Sequence, residues 1–326
     1  MPTWKATACS CSNIAFIKYW GNIDERLRLP ANGSISMNLD GLGTETTVEF
    51  RDDLECDVAT VDGQEMTGAA LDRISRHLDH VRAMAGQSLR AAVTSRNNFP
   101  AGAGIASSAS AFAALSVAAT VALNVVLSER QLSCLARLGS GSAARSIPGG
   151  FVEWHAAATH EESFAESFAP ADHWLLTDLV AIVSRAHKST GSTEGHALAA
   201  TSIFQETRVK DAPRRLALCK QAVLACDFDQ LAEIVELDSN MMHAVMMTSQ
   251  PPLFYWSPTT LALMRSIRQW RASGIGVCYT IDAGANVHCL CAPGDEQVVS
   301  DRLSSYEGVL EVRRAGPGGP ARVVTG

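Results

Sequence analysis

Phe99-Pro100-Ala101-Gly102-Ala103-Gly104-Ile105-Ala106-Ser107-Ser108-Ala109 is a run of small residues that leads straight into an Ala-rich segment ending near Leu127. Gly102 and Gly104 carry no side chain to hold a backbone away from a bulky anion. The segment behind them reads as a helix, so its first N–H groups and the positive end of its dipole point back into the loop. That is the arrangement that cradles a phosphate. Ser107 and Ser108 add first-turn hydroxyls suited to phosphate oxygens or a magnesium ion. The run is not a Walker A loop, because the Gly-Lys-Ser/Thr ending is missing. Its glycine spacing does not fit the dinucleotide fingerprint either. Taken alone, the run fits a Gly-containing turn before a core helix equally well, and the rest of the chain has to decide.

The chain has 326 residues, room for a large core and two domains. Its 47% hydrophobic and 19% charged residues are ordinary for a soluble globular protein. A net charge of -7 argues against a general nucleic-acid or anionic-membrane surface, while leaving room for a local basic pocket. An odd count of nine cysteines, and a start (Met1 to Lys5) without a hydrophobic region, point to reduced thiols in a cytoplasm. The C-x-C pairs Cys9/Cys11 and Cys289/Cys291 lie in strand-like runs with no C-x-x-C companion, so they read as core packing rather than zinc ligands. The apolar run 111–127, interrupted by Ser116, Thr120 and Asn124, is too short for a membrane span and reads as a buried central helix.

Outward from the loop, residues 5–20 alternate and then turn apolar, predicting a strand that enters a turn at Gly21-Asn22. Lys18 sits among Ile17, Tyr19 and Trp20, a costly place for an ammonium unless it meets an anion or snorkels at the strand end. Further strands are predicted within 29–39 and over 44–50, 55–61 and 89–95. A helix over 71–85 carries His77 and His80, whose spacing with no third ligand reads as exposed histidines rather than a metal pair. A helix over 129–138 leads to a second small-residue loop containing Ser140, Gly141, Ser142 and Arg145, whose guanidinium fork suits a carboxylate or phosphate. A strand over 175–183 leads to a third hydroxyl-rich loop, Lys188 to His196, with Ser192 in it. Three such loops suggest one ligand with several oxygen-rich groups.

The domain boundary is placed near residue 185, giving 1–184 and 185–326. The second half reads as mostly helical to about Thr248, with amphipathic runs over 213–226 and 228–237, then a helix over 258–272 capped by Ser257. Strands over 276–281 and 287–291 are joined by Asp282-Ala283-Gly284-Ala285-Asn286. Asp282 fits an ordinary turn, and equally a carboxylate held rigidly at a domain seam. The tail reads as a last strand over 309–314 and a surface end.

Several blocks occur in one order over nearly the whole chain: Asn13-Ile14-Ala15 with Ile17-Lys18-Tyr19-Trp20-Gly21, Asn97-Asn98-Phe99-Pro100 through Ala109, Gly139-Ser140-Gly141-Ser142 with Arg145-Ser146, Gly149-Gly150-Phe151-Val152-Glu153-Trp154, Gly191-Ser192-Thr193, Asp238-Ser239-Asn240 with His243-Ala244, and Asp282-Ala283-Gly284 with Asn286. In these the chain resembles the mevalonate diphosphate decarboxylases, a branch of the GHMP kinase superfamily. The resemblance implies an α/β (α+β two-layer) GHMP kinase fold, with an N-terminal, ATP-binding half like ribosomal protein S5 domain 2 and a ferredoxin-like C-terminal half. It implies ATP and Mg²⁺, a phosphorylated mevalonate as small-molecule substrate, and a cytoplasmic homodimer without nucleic-acid or membrane partners.

By the same resemblance, Asp282 is the catalytic carboxylate at the substrate's 3-hydroxyl, and Lys18 keeps it ionised. Arg145 holds the substrate carboxylate with help from Asn13. Tyr19, Ser140, Gly141, Ser142 and Ser192 contact the phosphate end. Asn97, Pro100, Gly102, Ala103, Gly104, Ala106, Ser107 and Ser108 bind ATP, with Ser107 also catalytic and a contact for Mg²⁺. The chain departs from the family where Lys-Arg-Asp usually follows Tyr-Trp-Gly: it has Asn22-Ile23-Asp24. Losing those cations removes charge-assisted contacts of about 1.5–3 kcal/mol each, and Asn22 suits a smaller anion. His196 replaces a usual methionine near the phosphate end, and Ala101-Gly102 replaces Thr-Ala. These departures favour mevalonate 5-phosphate as substrate, giving isopentenyl phosphate. The alternative is mevalonate 5-diphosphate, giving isopentenyl diphosphate; a kinase that stops at the 3-phosphate is a lesser one.

Overall fold

The protein is seen in a computed structural model that describes residues 4–99, 107–186 and 190–325. The N-terminal elements are β1 (Lys5–Ile17), β2 (Asn22–Asp24), β3 (Leu29–Pro30), β4 (Ser34–Arg51), β5 (Val58–Val61), β6 (Gln64–Glu65), α1 (Gly68–Ala85), β7 (Arg90–Asn97), α2 (Ser107–Ala122), α3 (Glu129–Gly139), β8 (Phe151–Trp154) and β9 (Ala165–Ala169). The chain continues through β10 (Thr177–Ile182), α4 (Ser192–Leu198), α5 (Gln205–Ala225), α6 (Phe228–Thr248), α7 (Pro258–Ala272), β11 (Val277–Thr280), β12 (Val287–Cys291), α8 (Glu296–Ser304), β13 (Glu311–Pro317) and β14 (Arg322–Thr325).

β1 and β4 are the spine. They pair antiparallel from Lys5↔Glu49 to Ile17↔Ile35, with a register shift between Cys11 and Ser12. Before that shift β1 alternates buried and more open residues, and after it every residue is buried. The change is what a strand shows when it passes from a sheet covered on one face to one covered on both. α2 covers one side of β1 and β4, while α5 and α6 cover β1 from the C-terminal half. α2 is apolar nearly all round, the mark of a helix with no solvent face. Its few hydroxyls bond inward: Ser116 Oγ donates to the Phe112 carbonyl at 2.6 Å and Thr120 Oγ1 to the Ser116 carbonyl at 2.8 Å. β10, β11, β12 and β13 form the C-terminal part of the sheet in the order β11-β12-β10-β13, and β13 joins it to β4 through Gly316↔Asp40 and Pro317↔Leu39.

Local signals worked where caps were explicit. Ser257 caps its helix as predicted, in a capping box with Thr260, and Ser128 forms an unpredicted one with Gln131. Four expectations need correction or extension. His77 is buried, its Nε2 2.9 Å from Ser116 Oγ, because α1 turns His77, Leu78 and Val81 onto α2; His80 alone is exposed. Residues 55–57 are not strand, since Asp57 turns inward to accept from Arg82 and from the Ala91 N–H at 2.8 Å. The tail lies on the surface as predicted, but it carries an unpredicted strand: β14 pairs with the first half of β1, and Ala321 N–H donates to the Ile147 carbonyl at 3.0 Å. Cys289 and Cys291 are buried as predicted, whereas Cys9 and Cys11 are only half-buried on β1. α8 went unread in the sequence.

Candidate active site

Lys18 follows the last residue of β1 and Asp282 lies just past β11. The structure brings them together: Lys18 Nζ stands 2.5 Å from Asp282 Oδ1. The Lys18 side chain is 2% exposed and that of Asp282 28%, so the pair is deep but the carboxylate opens onto a cavity. That cavity holds about 350 Å³ and is lined by Lys18, Tyr19, Arg28, Arg73, Ser107, Ser108, Ser140, Gly141, Ser142, Arg145, Ser192, His196 and Asp282, among others. Burial pushes the Asp282 carboxyl up, but Lys18, His288 and Arg145 outweigh it and hold the group below its usual range. It is therefore an ionised acceptor at neutral pH.

Both partners are held by one turn of α6. Asp238 Oδ2 accepts the backbone N–H of Lys18 at 2.6 Å, and Asp238 Oδ1 accepts Arg215 Nε at 2.7 Å, all without solvent contact. The Lys18 carbonyl accepts from Arg208 Nη2 at 2.6 Å and Asn32 Nδ2 at 3.1 Å. One residue along α6, Ser239 Oγ accepts the N–H of Ile281 at 3.0 Å, and His243 Nε2 lies 3.3 Å from the Ile281 carbonyl. Ile281 precedes Asp282, so the same helix sets the position of the lysine and of the carboxylate. Asp238 was legible only as part of a block; Arg208 and Arg215 were not singled out. Their signal is two arginines seven apart, two turns along one face of an amphipathic helix.

Arg145, on the short 3₁₀ turn Gly141–Ser146, is 3% exposed. Its Nη1 donates to Ser34 Oγ at 2.6 Å and its Nη2 to Asn13 Oδ1 at 3.1 Å. Burial lowers its pKa to about 10, with Asp282 and Tyr19 opposing. It remains a cation at neutral pH, and its buried Nε is without a partner. Asn13 does not line the cavity; it donates to Ser146 Oγ at 2.7 Å and orients Arg145.

Tyr19 packs against Trp154 and stacks on His196 at 4.1 Å between centroids, and its hydroxyl donates to Asn22 Oδ1 at 2.5 Å. Gly141 is fixed by this ring: a Cβ there would stand 2.5 Å from it. His196 Nδ1 accepts the N–H of Gly21 at 3.0 Å. That bond orients the ring with Nδ1 as the acceptor. Ser192 opens α4 on the same wall.

Ser107, which also lines the cavity, opens α2, and Ser108 Oγ lies 3.1 Å from Ser140 Oγ. Ser107 offers the hard oxygen donor that Mg²⁺ takes beside phosphate oxygens, and its place on the cavity wall fits that role. Pro100, Gly102, Ala103, Gly104 and Ala106 lie outside the described residues. Asn97 is not on the cavity: its side chain accepts from Thr44 Oγ1 at 2.6 Å and donates to Asp62 at 2.8 Å. Arg28 and Arg73 are lining residues that sequence reasoning missed.

A buried lysine–carboxylate pair and a serine-opened helix lining one cavity, in a chain of two α/β halves, define an enzyme of the GHMP kinase fold. Solved structures show the same fold. The mevalonate diphosphate decarboxylase of Staphylococcus aureus superposes with a TM-score of 0.92 at 35% identity, covering 98% of both chains. A structure described as MDDEF in complex with MVAPP, AMPPCP and magnesium superposes with a TM-score of 0.93 at 36% identity over 99% of both. The family model "Diphosphomevalonate decarboxylase-like N-terminal domain" matches residues 10–165, and "Mevalonate 5-diphosphate decarboxylase C-terminal domain" matches residues 178–311. Diphosphomevalonate decarboxylase mvd1 of Aspergillus fumigatus is 36% identical over 94% of this chain and 81% of its own length. Phosphomevalonate decarboxylase of Haloferax volcanii is 32% identical over 98% of both. The chain belongs to the diphosphomevalonate decarboxylase family, ATP-dependent carboxy-lyases.

Proposed function

We propose that this protein uses ATP to decarboxylate mevalonate 5-diphosphate to isopentenyl diphosphate. The observation that carries the reaction is the Lys18–Asp282 pair at 2.5 Å on the wall of a cavity that also presents Arg145 and Ser107. Asp282 accepts the proton of the substrate's tertiary 3-hydroxyl as its oxygen takes the γ-phosphoryl group of ATP, releasing ADP. The C3–O bond then breaks and inorganic phosphate leaves with the bonding pair. The C1–C2 pair becomes the new double bond, and carbon dioxide departs. Lys18 keeps Asp282 ionised and balances charge on the transferring group. Arg145 grips the C1 carboxylate until it is lost, so the acceleration comes from positioning and charge stabilisation. Ser107 would hold a magnesium ion together with the ATP phosphates, and the ion would supply charge neutralisation on the phosphoryl oxygens.

The diphosphate is favoured by the names of the Aspergillus relative and of the S. aureus structure. A second reading, mevalonate 5-phosphate giving isopentenyl phosphate, is favoured by Asn22. Its side chain is held between Tyr19 and Glu25, where Nδ2 donates to Oε2 at 2.8 Å, and it offers no cation. Steady-state kinetics on both substrates, following ADP and carbon dioxide together, test the proposal. The expected result is a higher kcat/KM for the diphosphate with one carbon dioxide per ADP. ADP without carbon dioxide would make the protein a 3-kinase. Preference for the monophosphate would install the second reading. A cytoplasmic homodimer is part of the same proposal, the dimer being testable by light scattering.

A further inference from the structure

The cations on the cavity wall are, among the described residues, Lys18, Arg145, Arg28 and Arg73. The first two are committed at the reacting end, Lys18 to Asp282 and Arg145 beside Ser34 and Asn13. The other two have no such commitment. Arg28 Nε donates to the Leu138 carbonyl at 3.1 Å. Arg73 donates to the next carbonyl, that of Gly139, through Nε at 3.0 Å and Nη2 at 2.8 Å. Both are thus docked on the C-terminal carbonyls of α3, directly before the cavity residues Ser140, Gly141 and Ser142. No carboxylate among the described residues forms an ion pair with either guanidinium. The acids just before Arg28 in sequence are otherwise used: Glu25 accepts from Asn22, and Asp24 accepts from the Leu27 N–H at 2.7 Å.

Two like charges on one wall repel, and the Arg73 guanidinium shows it. Burial, then Arg28 and Arg76, lower its pKa to about 10, which still leaves it a cation at neutral pH. Arg28 also sits at φ 50°, a left-handed backbone conformation that a long side chain rarely adopts and that clusters at ligand sites. Strain and unneutralised charge are kept together where an anion would relieve the second.

We propose that Arg28, docked beside Arg73 on the cavity wall, reads the terminal phosphate of a diphosphate substrate. Arg28 takes the part that a cation at position 22 would otherwise play, and Asn22 is left to fix Tyr19. This rests on the proposed substrate. It places the 3-hydroxyl at Asp282 and the C1 carboxylate at Arg145, so that the remaining anionic end meets the remaining cations. Charge-assisted bonds from guanidinium forks to phosphate are the strong kind, and they are geometrically selective.

The test compares full-length wild type, R28Q, R28K and R73Q on mevalonate 5-diphosphate and 5-phosphate, with thermal melts confirming that each variant is folded. R28Q is expected to raise KM for the diphosphate at least tenfold with kcat within twofold, and to change KM for the monophosphate less than threefold. R28K should recover most of the loss, and R73Q should raise KM for both substrates. An unchanged KM for the diphosphate in R28Q, or equal losses on both substrates, would overturn the proposal. Calorimetric binding of inorganic pyrophosphate separates this result from failure of the functional reading. If wild type turns over neither substrate yet binds pyrophosphate at least tenfold tighter than R28Q does, the role of Arg28 stands and the assigned reaction falls. Equal binding in both would sink that role.

Discussion

The two ends of the cavity handle charge in opposite ways. At the reacting end Lys18 and Asp282 neutralise each other, and the backbone of Lys18 is gripped from both sides by Asp238, Arg208 and Asn32. At the far end Arg28 and Arg73 donate to neutral carbonyls, Arg73 also lies over the Phe112 ring, and among the described residues neither forms an ion pair. Removing one member of a buried ion pair strands the other and costs about 3–5 kcal/mol, so the reacting end is built to keep its geometry when empty. The far end carries its charge unpaired, and its stability improves when an anion arrives. On the proposed function, one end is preorganised for chemistry and the other for capture.

The change expected to break the contrast most severely is Asp282→Asn. It leaves Lys18 with a neutral partner and removes the proton acceptor. kcat should fall at least about 1000-fold, equivalent to roughly 4 kcal/mol, while substrate KM moves little because capture lies elsewhere. A KM shift matching the kcat loss would show that the two ends are not separate. Next in size is Asp238→Asn, which touches no ligand. Its amide still fits, but Arg215 loses its buried counter-charge and Lys18 loses a charge-assisted bond. We expect kcat to drop about 10–100-fold, roughly 1.4–2.7 kcal/mol, with KM unchanged. The melting temperature should fall with it. A full kcat with a lower melting temperature would mean that Asp238 holds the fold and not the lysine.

How far this site could be read beforehand depended on where each residue's partner lay. Lys18 is conspicuous as an ammonium in an apolar run, and Asp282 as an acid ending a buried strand; family order then joined them over more than 260 positions of chain. Arg145 and the serines of the second loop were legible from their own neighbourhood. Arg28 was not, since nothing local distinguishes a surface arginine from one turned into a cavity by a left-handed backbone. Arg208 and Arg215 escaped for a related reason: their partner, Asp238, lies on another helix. His77 was misread because periodicity locates a face without saying what packs on it. The fold was legible where caps, turns and alternation are local. It was illegible in β14, whose pairing with β1 closes a contact between the two ends of the chain.

Each end also has a buried neutral histidine behind it, and pH can probe both. Burial lowers the pKa of His243, beside the Ile281 carbonyl, to about 3, with Lys18 lowering it further and Asp282 opposing. Burial, with His80 and Arg73, brings His77 behind the far end to about 3. An unfolded histidine titrates near 6.5. Between about 3 and 6.5 the unfolded chain therefore binds more protons than the native one. Stability is full above that window and is lost as pH falls through it, by up to about 2.7 kcal/mol per pH unit for the two groups. Denaturant melts at pH 7.5, 6.5 and 5.5 should show the decline. His77→Gln should flatten it by about one proton; an unaltered slope would mean that His77 takes up its proton in the folded state.

The smallest expected effect is the most pointed test of the far end. Asn22→Lys removes the acceptor of the Tyr19 hydroxyl and places an ammonium beside Glu25, which can neutralise part of it. In the wild-type background the added cation is partly redundant with Arg28. kcat/KM for the diphosphate should then rise no more than about threefold, roughly 0.6 kcal/mol, with the monophosphate unchanged. In the R28Q background the same substitution should recover most of the lost affinity, because the cation then has no competitor. Additive effects in the double variant would show that positions 22 and 28 serve different groups. Strong compensation would show that they serve the same phosphate from two places on the wall.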